Sequence, residues 1–216
     1  MMSKDRRNLL KMFAVAPFAG GLLTQASAQT FKPTKAMSSR DMIREHYFPN
    51  VVLTTHEGKK VRFYDDLLKD KIVILNFMYV KCKGICMPIT MNLVKVQRLL
   101  GDRVGRDIFF YSITLKPEED TPKALKEYAM MHRVGPGWLF LTGDPKDCEM
   151  LRRKLGFVDP NPQVDADTTR HIGNIRYGNE PLQMWAACPA QANAEWVAKS
   201  ILGVDRPKAP QPKKAS

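Results

Sequence analysis

Cys82-Lys83-Gly84-Ile85-Cys86 sets two thiols with three residues between them. Thiolates so spaced suit two kinds of chemistry: reversible disulfide exchange, and capture of a soft ion such as Cu(I). A plain disulfide closing a tight loop is a third reading of the same spacing. The pair directly follows an apolar run and precedes Pro88, a residue suited to the first turn of a helix. A helix amino terminus offers free N–H groups and a partial positive charge, and both favour thiolate over thiol. On that ground Cys86 is expected to gain more than Cys82, and Gly84 to let the loop turn both sulfurs toward one point.

The remaining candidates are the histidines and the other sulfur-bearing residues. His46 lies ahead of the first strand, His56 beside a hairpin turn and His132 at a helix end; all three read as solvated surface residues. His171 follows a long loop over 158–170 and enters an expected strand, where type and position leave ligand and structural residue both open. Cys148 and Cys188 read as buried small apolar side chains, with a Cys148–Cys188 disulfide as the alternative. The thioethers of Met87, Met91 and Met184 stand at spacings that read as core.

These residues need a frame. Residues 51–54 and 60–63 flank Glu57-Gly58 as a hairpin. Residues 72–79 (IVILNFMY) form a nearly unbroken apolar run, as expected of a strand covered on both faces. Ile89, Leu93, Val96, Leu99 and Leu100 recur at helical spacing up to Gly101. A second buried strand is expected over 107–115, a helix from Thr121-Pro122 to about His132, and another from Asp144-Pro145 to near Gly156. Strands around 172–177 and 182–185 and a helix around 192–202 complete the pattern. The order predicts an α/β, thioredoxin-like fold: a central mixed sheet flanked by helices, with an amino-terminal β-hairpin.

The ends read differently. Lys4, Arg6, Arg7 and Lys11 open the chain, an uncharged stretch follows over 12–23, and Ala26-Ser27-Ala28 offers a small-x-small cleavage pattern. At ~1.5 Å per residue these twelve apolar residues cover roughly 18 Å, short of a ~30 Å hydrocarbon core. Residues 1–28 therefore read as a cleaved signal peptide; paired Arg6-Arg7 resembles a twin-arginine signal, and an ordinary secretory signal is the alternative. The mature protein is expected to begin at Gln29 and to work in the periplasm, with no cysteine at the cleavage point to carry a lipid. Residues 29–40 read as a polar linker, 41–206 as the folded region and 207–216 as a disordered tail rich in Pro, Ala and Lys. The whole chain carries +12, of which the leader holds four basic residues and one acidic, leaving about +9. Lys and Arg are spread rather than clustered between aromatics, which with export argues against nucleic acid. Peripheral contact with acidic membrane lipids, or an acidic partner, is the milder reading of this charge.

From Asn50 to about Val204 the sequence resembles the SCO/SenC family. Cys82-x3-Cys86 matches that family's metal-binding pair, Pro117-Glu118-Glu119-Asp120-Thr121-Pro122 its P-E-x-D-T-P segment, and Gly137-Trp138-Leu139-Phe140-Leu141-Thr142-Gly143 its W-x-x-L-T-G strand. The resemblance implies a copper-binding, redox-capable chaperone that matures the dinuclear copper centre of cytochrome c oxidase. It implies Cys82, Cys86 and His171 as metal ligands, and Cys82 and Cys86 as the redox pair if exchange occurs. The implied partner is the copper-receiving subunit of the oxidase; a thiol-disulfide oxidoreductase acting on another exported thiol protein, with copper incidental, is the alternative. The chain departs from the family pattern in three ways: Lys83 and Met87 stand where prolines follow the cysteines, Lys116 replaces an aspartate, and Arg170 replaces an acidic residue before the histidine. Added positive charge is expected to oppose a cation and to favour thiolates.

Overall fold

The computed structural model describes residues 37–167 and 173–205. The signal peptide, most of the linker, the tail, Arg170 and His171 lie outside the described residues.

A helix that the sequence reading did not anticipate, α1 (Ser39–Tyr47), opens inside the expected linker; Ser38 caps it by accepting the Asp41 N–H at 3.1 Å. The hairpin is β1 (Val52–Thr55) with β2 (Lys60–Arg62), antiparallel, and a single wide helical turn Phe63–Leu68 follows. Then come β3 (Ile72–Met78), α2 (Cys86–Leu100), β4 (Ile108–Thr114), α3 (Pro122–Met131), β5 (Trp138–Gly143) and α4 (Pro145–Lys154). The expected long loop holds one short helix, α5 (Pro162–Asp165), and the chain ends in β6 (Asn174–Asn179), β7 (Met184–Pro189) and α6 (Ala194–Leu202).

The strands make one mixed sheet in the order β2-β1-β5-β4-β3-β6-β7. β3, β4 and β5 run parallel, while β1, β6 and β7 pair antiparallel at the flanks. All seven residues of β3 are buried, and alternate side chains enter opposite cores, which is why its sequence is an apolar run instead of an alternation. Ile72, Ile74 and Met78 join α2, α3 and α6 on one face, whereas Val73, Leu75 and Phe77 join α4 and the Phe63–Leu68 turn on the other. Cys188 lies in the first core and Cys148 in the second, so the sheet separates them and the disulfide alternative falls. Burial as small apolar groups is the outcome.

Several polar groups inside this sandwich are paired with one another. The register sets Asn76 opposite Ser112; Ser112 Oγ donates to Asn76 Oδ1 at 2.7 Å and accepts from Trp138 Nε1 at 2.9 Å. Glu180, fully buried, accepts from Arg40 of α1, from the Tyr64 hydroxyl at 2.6 Å and from the Asp70 N–H at 2.9 Å. Among the described residues no helix is long and apolar enough to cross a membrane.

Burial pulls the Glu180 pKa upward, but the donors from Arg40, Tyr64 and Asp70 outweigh it and hold the carboxyl below its ordinary value of 4.5. A depressed carboxyl adds stability above its unfolded pKa and loses it as pH falls through the folded one. Glu180→Ala strands a buried hydroxyl and an N–H, and is expected to cost about 2–4 kcal/mol at pH 7 in denaturant unfolding. The gap between parent and variant should narrow below pH 4.5, the ordinary value of this carboxyl, and a gap that does not change with pH would contradict the assignment.

Candidate metal centre

β3 ends at Met78, and the next seven residues turn back to start α2 at Cys86. What fixes this turn is a carboxylate from another loop. Asp120, 2% exposed, accepts the Thr114 hydroxyl at 2.6 Å and the Val80 N–H at 3.2 and 3.3 Å. It thereby joins the end of β4 and the start of α3 to the residue two before Cys82. Cys82 then folds back, its N–H donating to Tyr79 O at 3.2 Å.

The two thiols differ in environment. Cys82 is half-buried, while Cys86, first residue of α2, is 1% exposed and packs in the first core. Burial pulls the Cys82 pKa up, yet hydrogen bonds from the Cys86 thiol, the Cys86 and Gly84 N–H groups and the Tyr79 hydroxyl prevail, and its pKa is lowered. Burial raises Cys86 well above the ordinary thiol range, helped by its bond to Cys82 and by the nearby charge of Asp120. The expectation that Cys86 would gain most from the helix terminus is therefore reversed. The N–H groups of that terminus point their benefit at the sulfur outside the helix, and desolvation dominates at the sulfur inside it. Gly84 takes no left-handed conformation; it contributes its N–H.

Tyr79 was not singled out in the sequence. Burial and its bond to Cys82 push its hydroxyl up to about 12, so it stays a donor to the sulfur. Lys116 sits with its ammonium 4.8 Å over the Tyr79 ring and 3.4 Å from Glu119 Oε1, and Lys81 approaches Glu119 Oε2 at 3.5 Å. Lys116 thus meets the site through Tyr79, with Glu119 offsetting part of the two positive charges. Glu119 and Asp120 both stand in the quoted Pro117–Pro122 segment, which was the available signal for them.

The other candidates disperse. His46 is exposed, as expected. His56 is not a solvated residue: its Nδ1 accepts the Phe140 N–H at 3.1 Å, and burial lowers its pKa. His132 is half-buried against the Tyr128 ring at 4.3 Å, and burial lowers its pKa too. Neither behaves as the surface group expected. Met87 and Met91 are 57% and 46% exposed, so the core reading fails for both, while Met184 packs on the first core. Among the described residues no three of His, Cys, Asp and Glu gather as a metal site; Cys82 and Cys86 form a two-sulfur half. Such a half fits a soft cation.

Tyr79→Phe removes a donor from the Cys82 thiolate without removing the ring. It is expected to slow alkylation of Cys82 at pH 6.5 about 3- to 10-fold and to shift the rate–pH profile to higher pH. Lys116→Asp at low salt should move the profile in the same direction by less, because Lys116 acts through Tyr79. Unchanged profiles in both variants would show that neither group tunes the thiol.

A family model described as SCO1/SenC matches residues 41–203. The SCO1 protein homolog of Bacillus subtilis (strain 168) is 32% identical over 88 residues, 40% of this chain and 44% of that protein, so the match spans under half of the relative's length. The copper-bound structure of Bradyrhizobium japonicum ScoI superposes with TM-score 0.58 at 24% identity, covering 71% of this chain and 96% of that one. The structure of BsSco, described as a member of the Sco family of cytochrome c oxidase assembly proteins with a disulfide switch, gives TM-score 0.60 at 21% identity over 73% of this chain and 92% of that one. At these identities the structural likeness establishes the thioredoxin-like fold, and the family match, which spans most of the chain, establishes the rest: the chain belongs to the SCO1/SenC family.

Proposed function

We propose that this protein is an exported copper chaperone that holds Cu(I) between Cys82, Cys86 and His171 and delivers it to a copper-receiving subunit of cytochrome c oxidase. Copper is cargo on this reading. The Bradyrhizobium protein is copper-bound, and BsSco is assigned to oxidase assembly. The observation that carries the ligand set is where the chain lies on either side of His171. Gly173 packs against Ile85 and Ile89 at the start of α2: a Cβ there would meet their Cδ1 atoms at 3.0 and 3.4 Å. On the other side the charge of Asp167 acts on the Tyr79 hydroxyl. His171 precedes Gly173 by two residues in the sequence, and two residues span at most ~7 Å, which supports taking it as the third ligand. The approach to it is anchored by Asp165, which accepts Arg152 Nη1 at 2.6 Å and Nη2 at 2.8 Å and the Asp159 N–H at 2.9 Å. Export rests on the basic and apolar leader over 1–28 and its Ala26-Ser27-Ala28 end.

In this role Tyr79 and the α2 terminus hold negative charge at Cys82, and burial keeps Cys86 protonated until a cation displaces the proton. A second reading, thiol-disulfide exchange on an exported client, draws support from the same split. A more acidic, more exposed Cys82 suits attack on a client disulfide, with Cys86 as the neighbouring thiol that would resolve the mixed disulfide.

Chelator competition on the reduced protein is expected to give one Cu(I) per chain at sub-micromolar affinity, weakened at least about tenfold by His171→Ala while disulfide exchange persists. No sub-micromolar binding by the parent would overturn the chaperone reading in favour of exchange. Equal affinity in parent and His171→Ala would remove His171 from the site.

A further inference from the structure

On the sheet face opposite Cys86, a cavity of about 410 Å³ opens between α1, the end of α4 and the outer strands β6 and β7. Its volume falls in the ~300–1,000 Å³ range of small-molecule clefts. Phe48, Leu75, Leu155 and Trp185 give it apolar and aromatic walls, and Lys154 and Arg176 stand beside them with no acidic residue among the lining. We propose that this cavity binds a small amphipathic monoanion, a carboxylate carrying an apolar chain or ring.

Two features favour an anionic head. Arg176 is positioned without a counter-charge: its guanidinium donates to Gly156 O at 3.1 Å and lies 5.8 Å over the Phe157 ring. Its side chain passes where a Cβ on Gly156 would stand, and Gly156 takes φ +70°, so a glycine is needed there on both counts. The nearby carboxylates are already engaged, Glu149 and Asp165 by Arg152 and Arg153. Among the described residues neither Lys154 nor Arg176 ion-pairs with a carboxylate.

The walls favour an apolar body. Trp185 is held flat over Gly178, where any Cβ would collide with the indole, and its ring centre lies 4.5 Å from that of Phe48. The indole is thus fixed by a glycine below and an aromatic beside it. A neutral ligand would satisfy these walls but leave the two cations without a counter-charge. A small inorganic anion would meet the cations but leave the apolar walls wet.

Decanoate, below its micelle concentration, tests this in calorimetric titration of the full reduced chain without copper. One site per chain is expected, with decan-1-ol binding at least about tenfold more weakly. Arg176→Gln should weaken decanoate at least about tenfold and leave decan-1-ol unchanged. No saturable binding, equal affinity for acid and alcohol, or an unaffected Arg176→Gln would each overturn the proposal. Should Arg176→Gln lose its native circular dichroism, Lys154→Gln and the acid–alcohol comparison decide instead. Sedimentation with phosphatidylglycerol vesicles in the absence of decanoate binding would assign the patch to a lipid surface and overturn the free-ligand site.

Discussion

The geometry of the thiol pair depends on one buried carboxylate. Asp120 belongs to the loop between β4 and α3, yet it accepts the N–H of Val80 on the loop between β3 and α2. Without it, seven residues between a strand and a helix would have few contacts to set where they turn. Burial raises its pKa, and the Thr114 hydroxyl and Val80 N–H oppose that rise. Its charge is felt at Cys86, where it adds to the penalty on thiolate. A single side chain thus fixes the loop's shape and helps separate the two sulfurs electrically.

Beneath this loop the sheet is covered by an apolar core on each face, and its central polar groups pair with one another. Trp138, Ser112 and Asn76 form a chain across three parallel strands, under α2. An unpaired member would cost about 1–3 kcal/mol, so the chain also penalises any other register of β3, β4 and β5. Glu180 plays the corresponding part at the sheet's edge, where it ties α1 to the Phe63–Leu68 turn and the end of β6. The site is built on the part of the fold least free to shift.

Much of this was legible in the sequence. The hairpin, the doubly buried strand, the helix after the cysteines and the order of the remaining elements followed from periodicity and punctuation, because those signals are local. α1 escaped because none of its residues is buried, so it carries no strong apolar stripe; its cap at Ser38 and its tie through Arg40 to Glu180 are the reasons it holds. The inverted order of the thiols escaped because a helix-terminus argument counts donors and cannot count desolvation, which depends on the packing of Cys86 against residues far along the chain. Met87 and Met91 misled for a related reason: α2 turns its core face through Ile89, Leu93 and Val96, and the two methionines fall on the far side. Tyr79 was hidden as the last letter of an apolar run, though its hydroxyl is what faces Cys82.

The split between the sulfurs bears on why one pair can serve two chemistries. A thiolate buried in a medium of low effective dielectric is costly alone but interacts strongly with a cation placed against it. Burial at Cys86 therefore works against ionisation, and on the proposed reading it would favour a metal–sulfur bond, since a soft cation would replace the proton and supply the missing charge. Cys82 needs less compensation, because four protein donors already favour its negative charge. It is the sulfur available to meet either a metal or a disulfide first. With Cys86 protonated, attack by Cys82 on a disulfide leaves a mixed disulfide whose resolution waits on loss of the Cys86 proton, so exchange is slow to complete near neutral pH. A soft cation removes that proton directly. Of the two chemistries open to this pair, the burial of Cys86 hinders the second step of exchange and strengthens the second bond to a metal.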